Sequence, residues 1–258
     1  ETYYLTGCVA LAMDSYDEAS SNFTEAYGED ATYDRAIQIY EAYLEKDMEA
    51  DGTRYLEAAL KTEAKNAEDY CNRGKVYYYM EDYSNAQKEL TEAVNQKSTE
   101  GMLLLGMVYR AQGDTSNARS MYQQYVSADD SDPAKGYNGL ALCDMDDGSY
   151  DSALENISKG LEDASTEEMQ DLLFNEIVVY EKKLDFATAL SKMQEYIKMF
   201  PDDENAAKEL TFLQSRNGEL SNDTASDTTE NTDAEATSDA GDTTDTSDGS
   251  DESGEEEY

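Results

Sequence analysis

The chain has 258 residues, 59 of them acidic and 19 basic, for a formal net charge of -40, and it contains no histidine. Such a charge repels nucleic acid and anionic membrane surfaces and favours a partner with a cationic segment. The missing histidine removes imidazole acid–base chemistry, catalytic triads and imidazole metal ligation, and no apolar run approaches the roughly 20 residues of a membrane span.

From Thr2 to about Arg216 apolar residues recur at helical spacing, and only Pro133 and Pro201 interrupt them. Both prolines stand where one helix should stop and the next begin. No segment alternates as a strand would, so an all-α chain is expected. A step of aromatic-x-x-Ala recurs about every 34 residues. It reads Tyr16-Asp17-Glu18-Ala19, Tyr83-Ser84-Asn85-Ala86, Tyr150-Asp151-Ser152-Ala153 and Phe186-Ala187-Thr188-Ala189, with Thr115-Ser116-Asn117-Ala118 as a variant. A period of this length predicts stacked helical hairpins, none able to bury its apolar face alone.

The steps divide the chain into units near 1–32, 33–66, 67–98, 99–133, 134–169 and 170–203. In the second unit Ala36, Ile39, Tyr40 and Tyr43 form a clear stripe, but Gly52 replaces the alanine of the other units. That glycine is expected to loosen its turn by roughly 1 kcal/mol relative to Ala. Residues 204–217 predict an amphipathic capping helix, with Ala206, Leu210 and Leu213 on one side. Asn217-Gly218 then reads as a helix stop. Residues 218–258 hold no Lys or Arg and are rich in acids, Ser and Thr, so a disordered acidic tail is expected there.

The third unit carries Tyr70, Gly74, Tyr77, Tyr83, Ala86, Leu90 and Ala93; the fourth Met102, Leu105, Gly106, Tyr109, Ala118 and Tyr122; the sixth Tyr180, Phe186, Ala189, Met193 and Pro201. These residues resemble the tetratricopeptide repeat family over about 215 residues. The resemblance implies a right-handed superhelical solenoid of about six hairpins. The fifth unit departs from the pattern, with Asp144 where an aromatic is usual. In physical terms Gly74 and Ala86 allow close helix crossing. Tyr77 and Tyr109 are expected to fill the wedge between hairpins, each burying about 150–250 Å².

The resemblance also implies a concave groove lined by the first helix of each unit. Projected onto this sequence, that face takes Tyr4, Cys8, Leu11, Ile37, Glu41, Leu44, Glu45, Cys71, Lys75, Tyr78, Tyr79, Leu103, Met107 and Arg110, then Asn138, Leu142, Met145, Phe174, Val178 and Glu181. The face is mostly apolar with acids at its edges, which suits a protein or peptide partner with basic flanks. A clamp for a C-terminal carboxylate is disfavoured, because Lys75, Asn72 and Arg110 supply too little positive charge.

Catalysis lacks a foundation. No phosphate-binding glycine loop occurs, and Asp47 to Gly52 only opens like a calcium loop, since Ala58 stands where a closing Glu is needed. Cys8, Cys71 and Cys143 are far apart and fall in apolar stretches, as small buried hydrophobes do. The reading is a non-enzymatic scaffold without cofactor or metal. The alternative is a structural or self-associating spacer in a larger assembly, which could be one of the cell envelope. Glu1 in place of an initiator Met would suit an envelope protein whose leader was removed, and unpaired cysteines would equally suit the cytoplasm.

Overall fold

The structure, a computed structural model, describes residues 1–162 and 164–227. Among them are thirteen α-helices and no strand. Residues Glu1–Asn217 form one compact unit, a right-handed superhelical solenoid of six hairpins. These are α1 (Thr2–Ala12) with α2 (Tyr16–Glu29), α3 (Tyr33–Leu44) with α4 (Glu49–Ala59), and α5 (Ala67–Tyr79) with α6 (Tyr83–Asn95). There follow α7 (Thr99–Ala111) with α8 (Thr115–Val126), α9 (Pro133–Asp146) with α10 (Tyr150–Leu161), and α11 (Thr166–Lys182) with α12 (Phe186–Met199). The sixth hairpin opens at Thr166, four residues ahead of the boundary read from the sequence, because Ser165 and Glu168 form a reciprocal cap there.

Helix ends follow from local chemistry. Asp82, Asp114 and Asp185 accept the backbone N–H of Asn85, Asn117 and Thr188, capping α6, α8 and α12. Pro133 opens α9 at a position where its missing N–H costs nothing. Every hairpin turns through one left-handed residue: Asp14, Asp47, Glu81, Gly113, Gly148 or Leu184. The residue that follows donates its N–H to a carbonyl five positions back, as Asp82 does to Tyr77 at 2.9 Å and Asp185 to Tyr180 at 2.9 Å. This bond satisfies carbonyls that the helix end would otherwise orphan.

Packing within hairpins repeats one device. The fourth residue of each second helix is small and buried: Ala19, Gly52, Ala86, Ala118, Ala153 or Ala189. One turn later comes a fully buried large residue: Phe23, Leu56, Leu90, Tyr122, Ile157 or Met193. Gly7, Gly74 and Gly106 receive Phe23, Leu90 and Tyr122, since a Cβ at each glycine would run into that side chain.

The second hairpin corrects the sequence reading. Tyr40 stands where its neighbours carry that glycine, and a Cβ on Gly52 would lie 2.9 Å from the Tyr40 Cα. Gly52 is therefore the residue that lets α4 approach α3, and it does not loosen the turn. Tyr77 and Tyr109 are also not the fully buried wedge expected of them. Both are half-buried, while Tyr43, Tyr122 and Tyr196 are the tyrosines sunk deepest in the core. Asp144 is buried in the fifth hairpin with polar partners instead of an aromatic ring.

The last helix, α13, spans Glu204–Asp227. Ala206 and Leu213 bury fully against the sixth hairpin. The helix continues past the expected stop at Asn217-Gly218. The rest of the acidic tail, from residue 228, lies outside the described residues. No helix among them is long and apolar enough to cross a membrane.

Candidate peptide-binding groove

The first helices touch one another in succession, α1 to α3, α3 to α5, α5 to α7, α7 to α9 and α9 to α11. That contact puts them on the inner side of the curve, so residues one or two turns apart on each project into a shared groove. Tyr78, Leu103, Met107, Arg110, Asn138 and Leu142 of the projected face line one cavity of about 800 Å³. Tyr79 and Leu44, with Tyr78 again, line a second of about 470 Å³.

The remaining projected residues go elsewhere. Leu11 and Ile37 are 3% and 2% exposed and belong to the core, because the N-terminal hairpins pack these positions against their own second helices. Tyr4 lies 6.0 Å from Phe23 and beneath the Arg35 guanidinium, so it serves packing. Met145 packs on the fifth hairpin's cluster, and Phe174 meets Tyr196 edge-on at 5.7 Å. Lys75 and Val178 are half-buried and line neither cavity.

The larger cavity has two kinds of lining. Its floor is Tyr78, Leu103, Met107, Leu142 and the ring of Tyr122, which comes from the outer helix α8. Tyr122 reaches the floor because Gly106 and Gly139 leave room: a Cβ on either would stand 2.7 or 2.5 Å from its ring. Burial pushes the Tyr122 phenol well above its ordinary range, so it stays protonated. The acidic part of the lining is Asp146 and Asp147 at the end of α9 and Glu167, Glu168 and Asp171 at the start of α11.

The cations of the cavity are already engaged. Arg110 grips Asp146 bidentately, Nε to Oδ2 at 2.6 Å and Nη2 to Oδ1 at 3.3 Å. Lys135 Nζ sits 3.5 Å from Glu168 and 3.8 Å from Asp132. Glu168 also accepts the Ser165 N–H at 2.8 Å, and the Ser165 side chain, then Asp132, this N–H and Lys135, hold its carboxyl well below the usual range. Asp147 is taken by Arg119 at 2.8 Å and by the Thr115 hydroxyl at 2.9 Å. Glu167 and Asp171 have no cationic partner among the described residues. Partial loss of hydration, then Glu167 and Glu168, raise the Asp171 carboxyl, the signature of a negative site lacking its counter-charge.

Sequence reasoning expected acids at the edges of this face but named none of these five. Lys135 lies one turn before Asn138 and Gly139, and Asp171 lies just before Phe174, so extending each stripe one turn towards the helix start reaches both. Tyr122 was out of reach, since nothing in a helical stripe says that an outer-layer ring passes between two inner helices.

The model of the tetratricopeptide repeat family matches residues 71–133. A solved tetratricopeptide repeat protein from Parabacteroides merdae ATCC 43184 is 16% identical over 82% of this chain and 83% of its own, with a TM-score of 0.61. PilW, a type IV pilus biogenesis factor, is 14% identical over 81% and 97%, with a TM-score of 0.53. In the APC/C hetero-tetramer Cut9–Hcn1 the matching chain is 16% identical, with a TM-score of 0.53; 82% of this chain is covered but only 42% of that one. At such identities the likeness is one of fold. No curated protein matches the sequence. The match at 71–133 covers α5 to α8, hairpins of the same construction stack on both sides of it, and the fold is that of tetratricopeptide repeat proteins.

Proposed function

We propose that this chain is a protein-interaction scaffold whose groove between α5 and α11 holds a peptide or helix bearing an apolar side chain beside basic residues. The observation that carries the reading is the cavity of about 800 Å³, whose floor is apolar and whose unmatched charges are all negative. An apolar anchor would fill the space over Met107 and Leu142, and a neighbouring Lys or Arg would face Glu167 and Asp171. A fluorescent peptide with a central Leu between two Lys tests it against the same peptide with Glu in place of Lys. The Lys form should bind and weaken with salt, and Met107→Ser with Leu142→Ser should reduce binding about tenfold at unchanged helicity, as loss of a central anchor does. Equal binding of the Glu form, or indifference to the double substitution, would sink the proposal.

Self-association is a second reading, favoured by one observation. Leu5, Val9 and Met13 on α1 are 55, 58 and 72% exposed and follow one another at four-residue spacing. A sedimentation profile showing only monomer at all concentrations would remove it.

A further inference from the structure

We propose that Tyr40, Tyr78, Tyr79 and Tyr83 form a cage for an alkylammonium cation, in the smaller cavity where the second hairpin meets the third. The cavity holds about 470 Å³ and shares only Tyr78 with the groove floor. It stands independently of the peptide reading.

The rings are set steeply against one another like walls. Tyr40 and Tyr79 have centroids 5.7 Å apart at 62°, Tyr78 and Tyr79 6.3 Å apart at 77°, and Tyr78 and Tyr83 5.8 Å apart at 57°. Rings set in this way line one open cavity, and a clustered set of aromatic rings is what attracts an ammonium head. The rim adds Glu49 and Glu81, and no Lys or Arg lines the cavity.

The walls are held in place. The Tyr40 hydroxyl donates to the Tyr79 carbonyl at 3.3 Å, and the Tyr79 hydroxyl donates to the Glu41 carboxylate. Burial, and for Tyr79 also Glu41, raises the phenols of Tyr78 and Tyr79, so both remain neutral. A phenol that donates to a carboxylate is richer in electrons and attracts a cation more strongly.

Elsewhere the chain covers tyrosines with its own cations: Arg35 over Tyr4, Arg54 over Tyr55, Arg73 over Tyr77 and Lys159 over Tyr137. Among the described residues none of the four cage tyrosines receives one, although acids face them from α4 and from the turn before α6. A neutral group of equal shape would gain the contact area but neither the ring faces nor the two carboxylates.

Ring-labelled tyrosine spectra of the full chain test the cage. Tetramethylammonium, N-acetyl-lysine methylamide and the neutral analogue neopentyl alcohol would each be titrated at matched ionic strength. We expect saturable shifts of Tyr78, Tyr79 and Tyr83 with at least one ammonium probe, and at least tenfold weaker response to the alcohol. Tighter binding of the lysine derivative identifies a peptide as the source, and tighter binding of tetramethylammonium a small quaternary ligand. Tyr83→Leu should weaken the ammonium response at least fivefold with helicity intact. Glu49→Gln with Glu81→Gln, which alters no wall, should weaken it several-fold at low salt. An equal response to the alcohol, no saturable shift with either cation, or full binding by the double Gln variant would overturn the cage.

Discussion

Arg119 on the outer helix α8 holds the carboxylate of Asp144 on α9 at 2.6 Å, across the boundary between two hairpins. Asp144 occupies the place that Tyr43, Tyr77, Tyr109 and Tyr180 hold in other first helices, and it is only 4% exposed. The Asn156 amide donates to its second oxygen at 2.7 Å, and the other arm of Arg119 reaches Asp147 at 2.8 Å. A polar bridge thus replaces the aromatic wedge, and both oxygens of the buried acid are satisfied.

Removing half of that bridge should be costly. Asp144→Ala leaves Arg119 and Asn156 facing an apolar gap and is expected to lower stability by about 2–3 kcal/mol, less than a fully buried pair because Arg119 keeps some solvent. Asp147→Ala, at the exposed end, should cost under about 1 kcal/mol. Denaturant melts of the two variants compare them directly, and equal losses would show that the buried end is not special.

The hairpin turns offer a gain in stability. Leu184 adopts φ 60 and is 70% exposed, whereas the same turn in the fourth and fifth hairpins uses Gly113 and Gly148. Leu184→Gly relieves the left-handed strain and loses almost no burial, so the melting midpoint should rise by the equivalent of about 1 kcal/mol. A fall in the midpoint would mean that the Leu184 side chain contributes a contact worth more than the strain.

Acidity should strengthen the C-terminal end of the array. Glu181 on α11 has a buried Oε1 with no donor, and burial followed by Glu209 on α13 pushes its carboxyl up to about 7, with Lys182 opposing weakly. The folded chain therefore binds a proton there that the unfolded chain releases above its ordinary carboxyl range. The contribution is fully present below that range and is lost as pH rises towards 7. After allowance for its partial exposure the loss is on the order of 1–2 kcal/mol. Glu181→Gln should flatten this slope and raise stability at pH 8, as read from melts at pH 5 and pH 8.

Glycines separate by what stands opposite them. A Cβ on Gly28 meets nothing within 4 Å, so Gly28→Ala should stabilise α2 by up to about 1 kcal/mol. Gly52→Ala would press on the Tyr40 backbone and should cost about 1–3 kcal/mol. If both changes acted alike in denaturant melts, the close crossing of α3 and α4 would be wrong.

The fold was legible because its period is written in small residues: Ala19, Ala86, Ala118, Ala153 and Ala189 all fall at the fourth place of a second helix. Gly52 falls there too, but its meaning depended on Tyr40 twelve residues earlier, a swap of sizes between two helices that no single stripe reveals. Six residues that line the larger cavity were legible for the same reason, being inner-face positions of α5, α7 and α9. Leu11 and Ile37 were not separable from them, because helical periodicity gives a direction around the axis and not the depth of what covers it. The pairing of Arg110 with Asp146, 36 residues away, was equally invisible to local spacing.

Arg73 reaches back from α5 to take the Leu60 and Thr62 carbonyls at 3.0 and 2.6 Å, beyond the end of α4, while its Nη2 lies 3.4 Å from Glu89. Helices α6 and α7, α8 and α9, and α10 and α11 press together at their junctions, but α4 makes little contact with α5. Under an external pull on its two ends, an array of this kind yields joint by joint. Residues 60–66 are then the compliant link, and the Arg73 guanidinium is its main tie to α5, beside the Tyr33 hydroxyl that also donates to the Thr62 carbonyl. Stretched in an optical trap, the chain would part there first, and Arg73→Ala would lower the force of that first event while leaving the later ones in place.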